Sequence, residues 1–123
     1  MTGAWSLTAT YAGGSLSCTV QGQLILDGSG SSLSGSLAEE QAGCTDNGTP
    51  IALTPDTLNV IATIAGRTLS FTPQAPEGEA PCAVLNFEGA VSGDQISGTV
   101  RTTPVLCQGT YVAMSGTWQA QRS

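Results

Sequence analysis

A two-residue alternation constrains this chain more than any other feature. Trp5, Leu7, Ala9 and Tyr11 alternate with Ser6, Thr8 and Thr10. Val20, Leu24 and Leu26 share one face of the next run, and Leu33 and Leu37 alternate with Ser34 and Ser36 around Gly35. A period of two belongs to strands that bury one face, and no segment carries the period of a helix. Further strands are expected over 57–64, 67–72, 82–91, 95–101 and 110–122. Turns are marked by Gly13-Gly14, Asp27-Gly28-Ser29-Gly30, Asn47-Gly48, Ala65-Gly66 and Ser92-Gly93-Asp94. The stretch 73–81, with three prolines and two glutamates, reads as an exposed loop. Eight strands with short links predict an all-β, antiparallel up-and-down barrel, with a β-sandwich as the alternative.

The chain also matches itself. Residues 29–44 (SGSSLSGSLAEEQAGC) align with 92–107 (SGDQISGTVRTTPVLC), so that Leu33 pairs with Ile96, Leu37 with Val100 and Cys44 with Cys107. GTPIALT at 48–54 matches GTYVAMS at 109–115. Upstream, Trp5-Ser6-Leu7-Thr8 matches Leu69-Ser70-Phe71-Thr72, and Cys18 matches Cys82. The matches keep the same order and a nearly constant spacing. They predict an internal duplication of a four-strand unit, with pseudo-repeats at about 4–65 and 66–123 inside one domain spanning 1–123.

Cys18, Cys44, Cys82 and Cys107 are the four cysteines, and none lies in a C-x-x-C pair. Wide, even spacing points to two disulfides and an oxidising compartment rather than to zinc. One bridge in each half, Cys18–Cys44 and Cys82–Cys107, suits the duplication. The swapped pairing is equally symmetric, and pairing equivalent cysteines is the third option. The start, Met1-Thr2-Gly3-Ala4-Trp5, has neither a basic segment nor an apolar run. The expectation is therefore a secreted, periplasmic or cell-surface protein from which a natural signal has been removed.

Charge excludes some partners. Arg67, Arg101 and Arg122 are the only basic side chains, against nine acidic ones, for a net charge of −6. Nucleic acid and anionic membrane surfaces would be repelled, and no stretch is long enough for a helical membrane insertion. With no histidine, Ser-His-Asp and Cys-His catalysis are excluded, and most transition-metal sites with them. No catalytic residue, metal or cofactor is assigned. Glu39, Glu40, Asp46, Glu77 and Glu79 read as loop carboxylates. Glu88 follows Phe87 in a strand, so an inward Phe87 turns it to solvent.

The aromatics add a family likeness. Trp5 opens the first strand, Trp118 lies near the end of the last, and Arg122 is close enough to stack on Trp5. Antiparallel pairing of these strands is expected to bring the two tryptophans together at one end. Gly3-Ala4-Trp5 with a late arginine resembles the Gly-x-Trp and Arg signature of the calycins, the lipocalins and their relatives. Gly116-Thr117-Trp118 and the length look more like the avidin branch. The resemblance implies an eight-stranded barrel that holds a small, often apolar ligand. It also implies a structural plug of Trp5, Trp118 and Arg122 at the closed end.

The barrel interior is where function is then expected. Its predicted walls are Leu7, Val20, Leu24, Leu33, Leu58, Val60, Leu69, Phe71, Val84, Phe87, Ile96, Val100, Val112 and Met114, with Gly35, Gly98 and Gly116 on the same face. The leading reading is a secreted, non-enzymatic binding barrel for a small apolar molecule, with Tyr11, Phe71, Phe87 and Met114 as ligand contacts. A structural or self-assembling extracellular module with a solid core is the second reading, and self-association suits its Ser/Thr-rich, weakly charged strands. A small barrel enzyme of isomerase or cyclase type is the third. It would need a buried acid or tyrosine from among Glu88, Tyr11 and Tyr111.

Overall fold

The structure, a computed structural model, describes residues 2–52, 55–74, 83–104 and 113–123, with side chains over 2–50, 55–74, 85–102 and 113–123. Its strands are β1 (Gly3–Gly13), β2 (Leu16–Ser29), β3 (Ser32–Asp46), β4 (Thr49–Ala52), β5 (Thr57–Ala65), β6 (Thr68–Gln74), β7 (Ala83–Ser92), β8 (Gln95–Pro104) and β9 (Ser115–Arg122). All pairings are antiparallel. The sheet runs β2-β1-β9-β8-β7-β6-β5-β3-β4, and β2 also pairs with β3. That last pairing closes eight strands into an up-and-down barrel and leaves β4 as a short hairpin partner of the far end of β3. The sandwich alternative is therefore set aside. The pseudo-repeat boundaries fall so that β1, β2, β3 and β5 lie in the first half and β6, β7, β8 and β9 in the second.

Alternation becomes burial directly. On β1 the inward positions Trp5, Leu7, Ala9 and Tyr11 are buried while Ser6 and Thr10 are exposed. The core adds Val20, Leu24 and Leu26 from β2, Leu33 and Leu37 from β3, Val60 and Ala62 from β5, Leu69 and Phe71 from β6, Phe87 from β7, Ile96 and Val100 from β8, and Trp118 and Ala120 from β9. Leu85 packs against this core, and the side chains of Val84 and Val112 lie outside the described ones. The strands tilt steeply. Paired residues traced from Tyr11 run through Gly116, Val100, Phe87, Phe71, Ala62 and Leu33 to Gly28, at the opposite end of the barrel from Tyr11. Such stagger is what closure of an eight-stranded barrel demands.

The two ends differ. The β2–β3, β5–β6 and β7–β8 turns share one end with both ends of the described chain. These are two-residue turns, and Gly93 takes φ 61°, a conformation closed to most residues. The β1–β2 and β3–β4 turns lie at the other end, the latter formed by Asn47 (φ 51°) and Gly48 (φ 84°). β6 and β8 also end, and β7 starts, at this end, which we call the open end.

At the open end Cys18 and Cys44 face each other across β2 and β3 and are joined by a disulfide. The swapped and equivalent-cysteine pairings are thereby excluded. Cys82 and Cys107 lie outside the described residues. Ala83, next to Cys82 in sequence, pairs with Pro104, three residues before Cys107. Non-reducing peptide mapping is expected to recover Cys18 linked to Cys44 and Cys82 linked to Cys107. The Cys18–Cys44 bridge spans a sequence separation of 26. Replacing both of its cysteines by serine should lower the unfolding free energy by about 3 kcal/mol in chemical denaturation. A loss near zero would mean that the closed sheet alone restrains this end.

Candidate functional site

The closed end is built around an arginine. Trp5 pairs with Arg122, whose Cζ lies 4.4 Å from the centre of the indole ring. Arg122 Nε is 3.1 Å from Asp94 Oδ1 in the β7–β8 turn, and Nη1 donates to the Thr2 carbonyl at 3.2 Å. A Cβ at position 3 would stand 2.8 Å from Nη1, so Gly3 leaves the space in which the guanidinium lies over the ring. The Arg122–Asp94 pair is solvated and worth little by itself; the contact with the buried indole is the stronger part of the arrangement. Trp118 is not the cross-strand partner of Trp5. It pairs with Ala9, farther along β1, because β9 starts its pairing with β1 at Arg122 rather than at Trp118.

Trp118 stands instead in an aromatic cluster. Phe71 and Phe87 stack at 4.7 Å with an interplanar angle of 4°. Trp118 meets each edge-on at 5.5 Å, and its Nε1 donates to the Glu88 carbonyl at 3.2 Å. A side chain that borders a void wide enough for water keeps accessible surface even when the void is sealed. Trp5, Ala9, Leu24, Ala62, Leu69 and Val100 keep none, and Phe71, Phe87 and Trp118 keep 3%, 2% and 2%. The barrel is thus filled from the closed end through the aromatic cluster. Phe71 and Phe87, expected as ligand contacts, are enclosed by Trp118 and by each other.

Accessibility returns toward both ends: Ile64 and Val91 are partly buried beside the closed-end turns, and a larger group lies toward the open end. Met114, Leu85, Ala42 and Cys44 are partly buried against the core, and Leu58 and Glu39 are likewise half-buried on inward positions. Met114 is fixed by β8: its N–H donates to Thr102 Oγ1 at 2.7 Å, and Thr102 N–H donates to its carbonyl at 2.9 Å. Glu39 is fixed by the β4–β5 link: its N–H donates to the Asp56 carbonyl at 2.9 Å, and Asp56 N–H donates to Glu39 Oε1 at 3.2 Å. Tyr11 is 8% exposed, and among the described residues its hydroxyl has no hydrogen-bond partner. No fully buried polar side-chain atom goes unpaired among these residues, so the Tyr11 oxygen itself reaches accessible space.

The Glu39 charge acts on Tyr11. Burial, and then the Glu39 charge, push the Tyr11 phenol above its usual range, so it remains a neutral donor at physiological pH. Burial raises the Glu39 carboxyl; the hydrogen bond from Asp56 opposes this, and the Asp56 charge adds to it. Sequence reading placed Glu39 and Glu40 in a loop. Both lie in β3, where a bulge leaves Glu40 without a partner between the pairs Gln21–Gln41 and Gly22–Glu39. Glu39 therefore shares the inward face with Leu37, whereas Glu40 is exposed. Glu88 is exposed on the outer face, opposite in sense to Phe87. Tyr111 lies outside the described residues. Among the described residues, no three side chains of metal-binding type come together.

Clefts on the outer face are of a different kind. One of about 600 Å³ lies between Thr8, Thr10, Ser97, Thr99, Thr117 and Gln119. Another of about 340 Å³ is bordered by Ser70, Thr72, Asn86, Glu88, Thr99 and Arg101. Both are gaps between hydroxyl, amide and charged side chains on the outside of the barrel, and neither contains a buried unpaired group.

Glu39 makes stability depend on pH. A carboxyl raised above its ordinary pKa holds its proton more tightly when folded than when unfolded. Its stabilising contribution is full below the ordinary glutamate pKa and is lost as pH rises through the raised value. Glu39→Gln keeps the Oε1 acceptor for Asp56 and cannot ionise. It should melt above the parent at neutral pH and level with it in acid below the ordinary carboxylate range. A gap between the two melting temperatures that is the same at both pH values would contradict this account.

No family model, curated protein or solved structure matches the chain.

Proposed function

We propose that this chain is a secreted, non-enzymatic binding barrel that takes a small, largely apolar molecule at its open end. One observation carries the reading: toward the open end of a filled barrel stands Tyr11, nearly buried yet without a hydrogen-bond partner among the described residues. Its oxygen reaches accessible space, where the polar group of a ligand can take the place of water. Leu58, Leu85 and Met114 would supply apolar contact, Tyr11 would orient the ligand, and Phe71 and Phe87 would form the floor beneath it. This is the arrangement of ligand sites generally, apolar walls with few polar groups. Of the four contacts expected from sequence, Tyr11 and Met114 belong to the site and the two phenylalanines support it.

The calycin likeness supports the same reading through Gly3, Trp5 and Arg122, which occupy the end opposite the proposed site. A disulfide at the open end suits an oxidising, extracytoplasmic setting. Of the residues that a barrel enzyme was expected to use, Glu88 is exposed on the outer face, Tyr11 stays protonated at physiological pH and Tyr111 lies outside the described residues.

Native mass spectrometry of gently purified protein, together with titration by the neutral fluorophore N-phenyl-1-naphthylamine, tests the proposal. Saturable dye binding near one equivalent is expected, weakened at least several-fold by Met114→Ala and untouched by Gln119→Ala on the outer face. No co-purified molecule and no saturable fluorescence would sink it.

A further inference from the structure

The charges of the barrel are distributed in a way that selects a ligand class. Its three basic side chains all lie away from the open end or outside the barrel wall. Arg122 covers Trp5 at the closed end, and Arg67 sits in the β5–β6 turn at that same end. Arg101 is exposed on β8, across the barrel from β3. No residue anywhere else in the sequence can bring a cationic side chain to the open end. Acids do gather there: Glu39 on the inward face of β3, Asp56 bonded to it, and Asp46 at the end of β3. Glu39 is inward and half-buried, toward the same end as Leu58, Leu85 and Met114.

A half-buried carboxylate with no cation in reach is an unbalanced charge. Tyr11 adds a second polar group at the same end, more than nine-tenths buried, whose oxygen reaches accessible space and has no hydrogen-bond partner among the described residues. One kind of head group engages both at once. An alkylammonium donates to the carboxylate in a charge-assisted hydrogen bond and places a further N–H against the phenol oxygen, which accepts. A carboxylate head would be repelled by Glu39, and a neutral alcohol would satisfy Tyr11 while leaving Glu39 unpaired. The net charge of −6 would also draw a cation toward the mouth.

Building on the binding reading above, we propose that the open end is selective for cationic amphipaths. Their apolar body lies against Leu58, Leu85 and Met114, and their protonated amine is held between the Glu39 carboxylate and the Tyr11 hydroxyl. The recognition is noncovalent, and the amine arrives already protonated.

Displacement of bound N-phenyl-1-naphthylamine by decylamine, decanol and decanoate tests this at neutral pH, with each competitor kept below its micelle concentration. Decylamine is expected to displace the dye at about one-tenth the concentration of decanol, the effect of one charge-assisted hydrogen bond, and decanoate is expected to be weakest. Glu39→Gln should abolish the advantage of the amine and leave decanol unchanged. Tyr11→Phe, which removes one oxygen and little volume, should cost decylamine several-fold relative to decanol and serves as the second variant should Glu39→Gln fail to fold. Glu88→Gln, on the outer face, should keep the full preference. Equal displacement by all three competitors, or an amine preference that survives Glu39→Gln, overturns the selectivity while the binding barrel stands. Failure of the dye itself to bind overturns the barrel reading and this one with it.

Discussion

Everything in this structure depends on β1 having partners on both edges. It pairs with β2 on one side and β9 on the other, while β2 pairs onward to β3. Without the β1–β9 pairing the sheet would be open, with two long unpaired edges and an inner face only half covered. With it, the inward residues of all eight barrel strands face one another across a space that side chains can fill. Closure also requires backbones to come close. A Cβ at Gly98 would meet the Glu88 carbonyl oxygen at 1.9 Å, and one at Gly116 would meet that of Thr10 at the same distance. Glycine at these positions lets β8 and β9 coil tightly enough to join the ring.

Closure leaves the two ends unequal, and that inequality shapes any function. One end is tied by tight turns and sealed by Arg122 over Trp5. The side chains above it, up to Phe71, Phe87 and Trp118, leave no room for water beside them. The other end has the disulfide, the half-buried Glu39 and the unbonded Tyr11. Polar groups can be tolerated there because neighbouring side chains are less completely buried. The proposed binding function rests on this contrast between a filled interior and a looser, acidic end.

Much of this was legible in the sequence, for a local reason. A strand exposes one face and buries the other, so Trp5-Leu7-Ala9-Tyr11 announced both the strand and its core face. Glycine turns such as Gly93 and Asn47-Gly48 announced where strands end, because few other residues reach their backbone angles. The Gly3, Trp5 and Arg122 grouping was legible because all three lie near chain ends that an antiparallel barrel must bring together. Glu39 was not. A single bulge at Glu40 resets the alternation, and bulges follow from how two strands coil around each other rather than from either strand alone. Trp118 was misplaced for a related reason. Its partner across the seam depends on register, and a shift of four residues separates Ala9 from Trp5 without changing which face is buried.

The sequence by itself determined an antiparallel all-β chain, the inward and outward faces of its strands, the turns, the oxidisable cysteines and the absence of any basic residue outside positions 67, 101 and 122. These are properties of single strands and of composition, and they hold whatever the strands pair with. Only the tertiary structure decided that the sheet closes, that Cys18 bonds Cys44, that Phe71 and Phe87 pack with Trp118, and that Tyr11 and Glu39 share one end. Those outcomes depend on strand tilt and register, which are set by all eight strands at once because a ring can close only when every pairing is satisfied together.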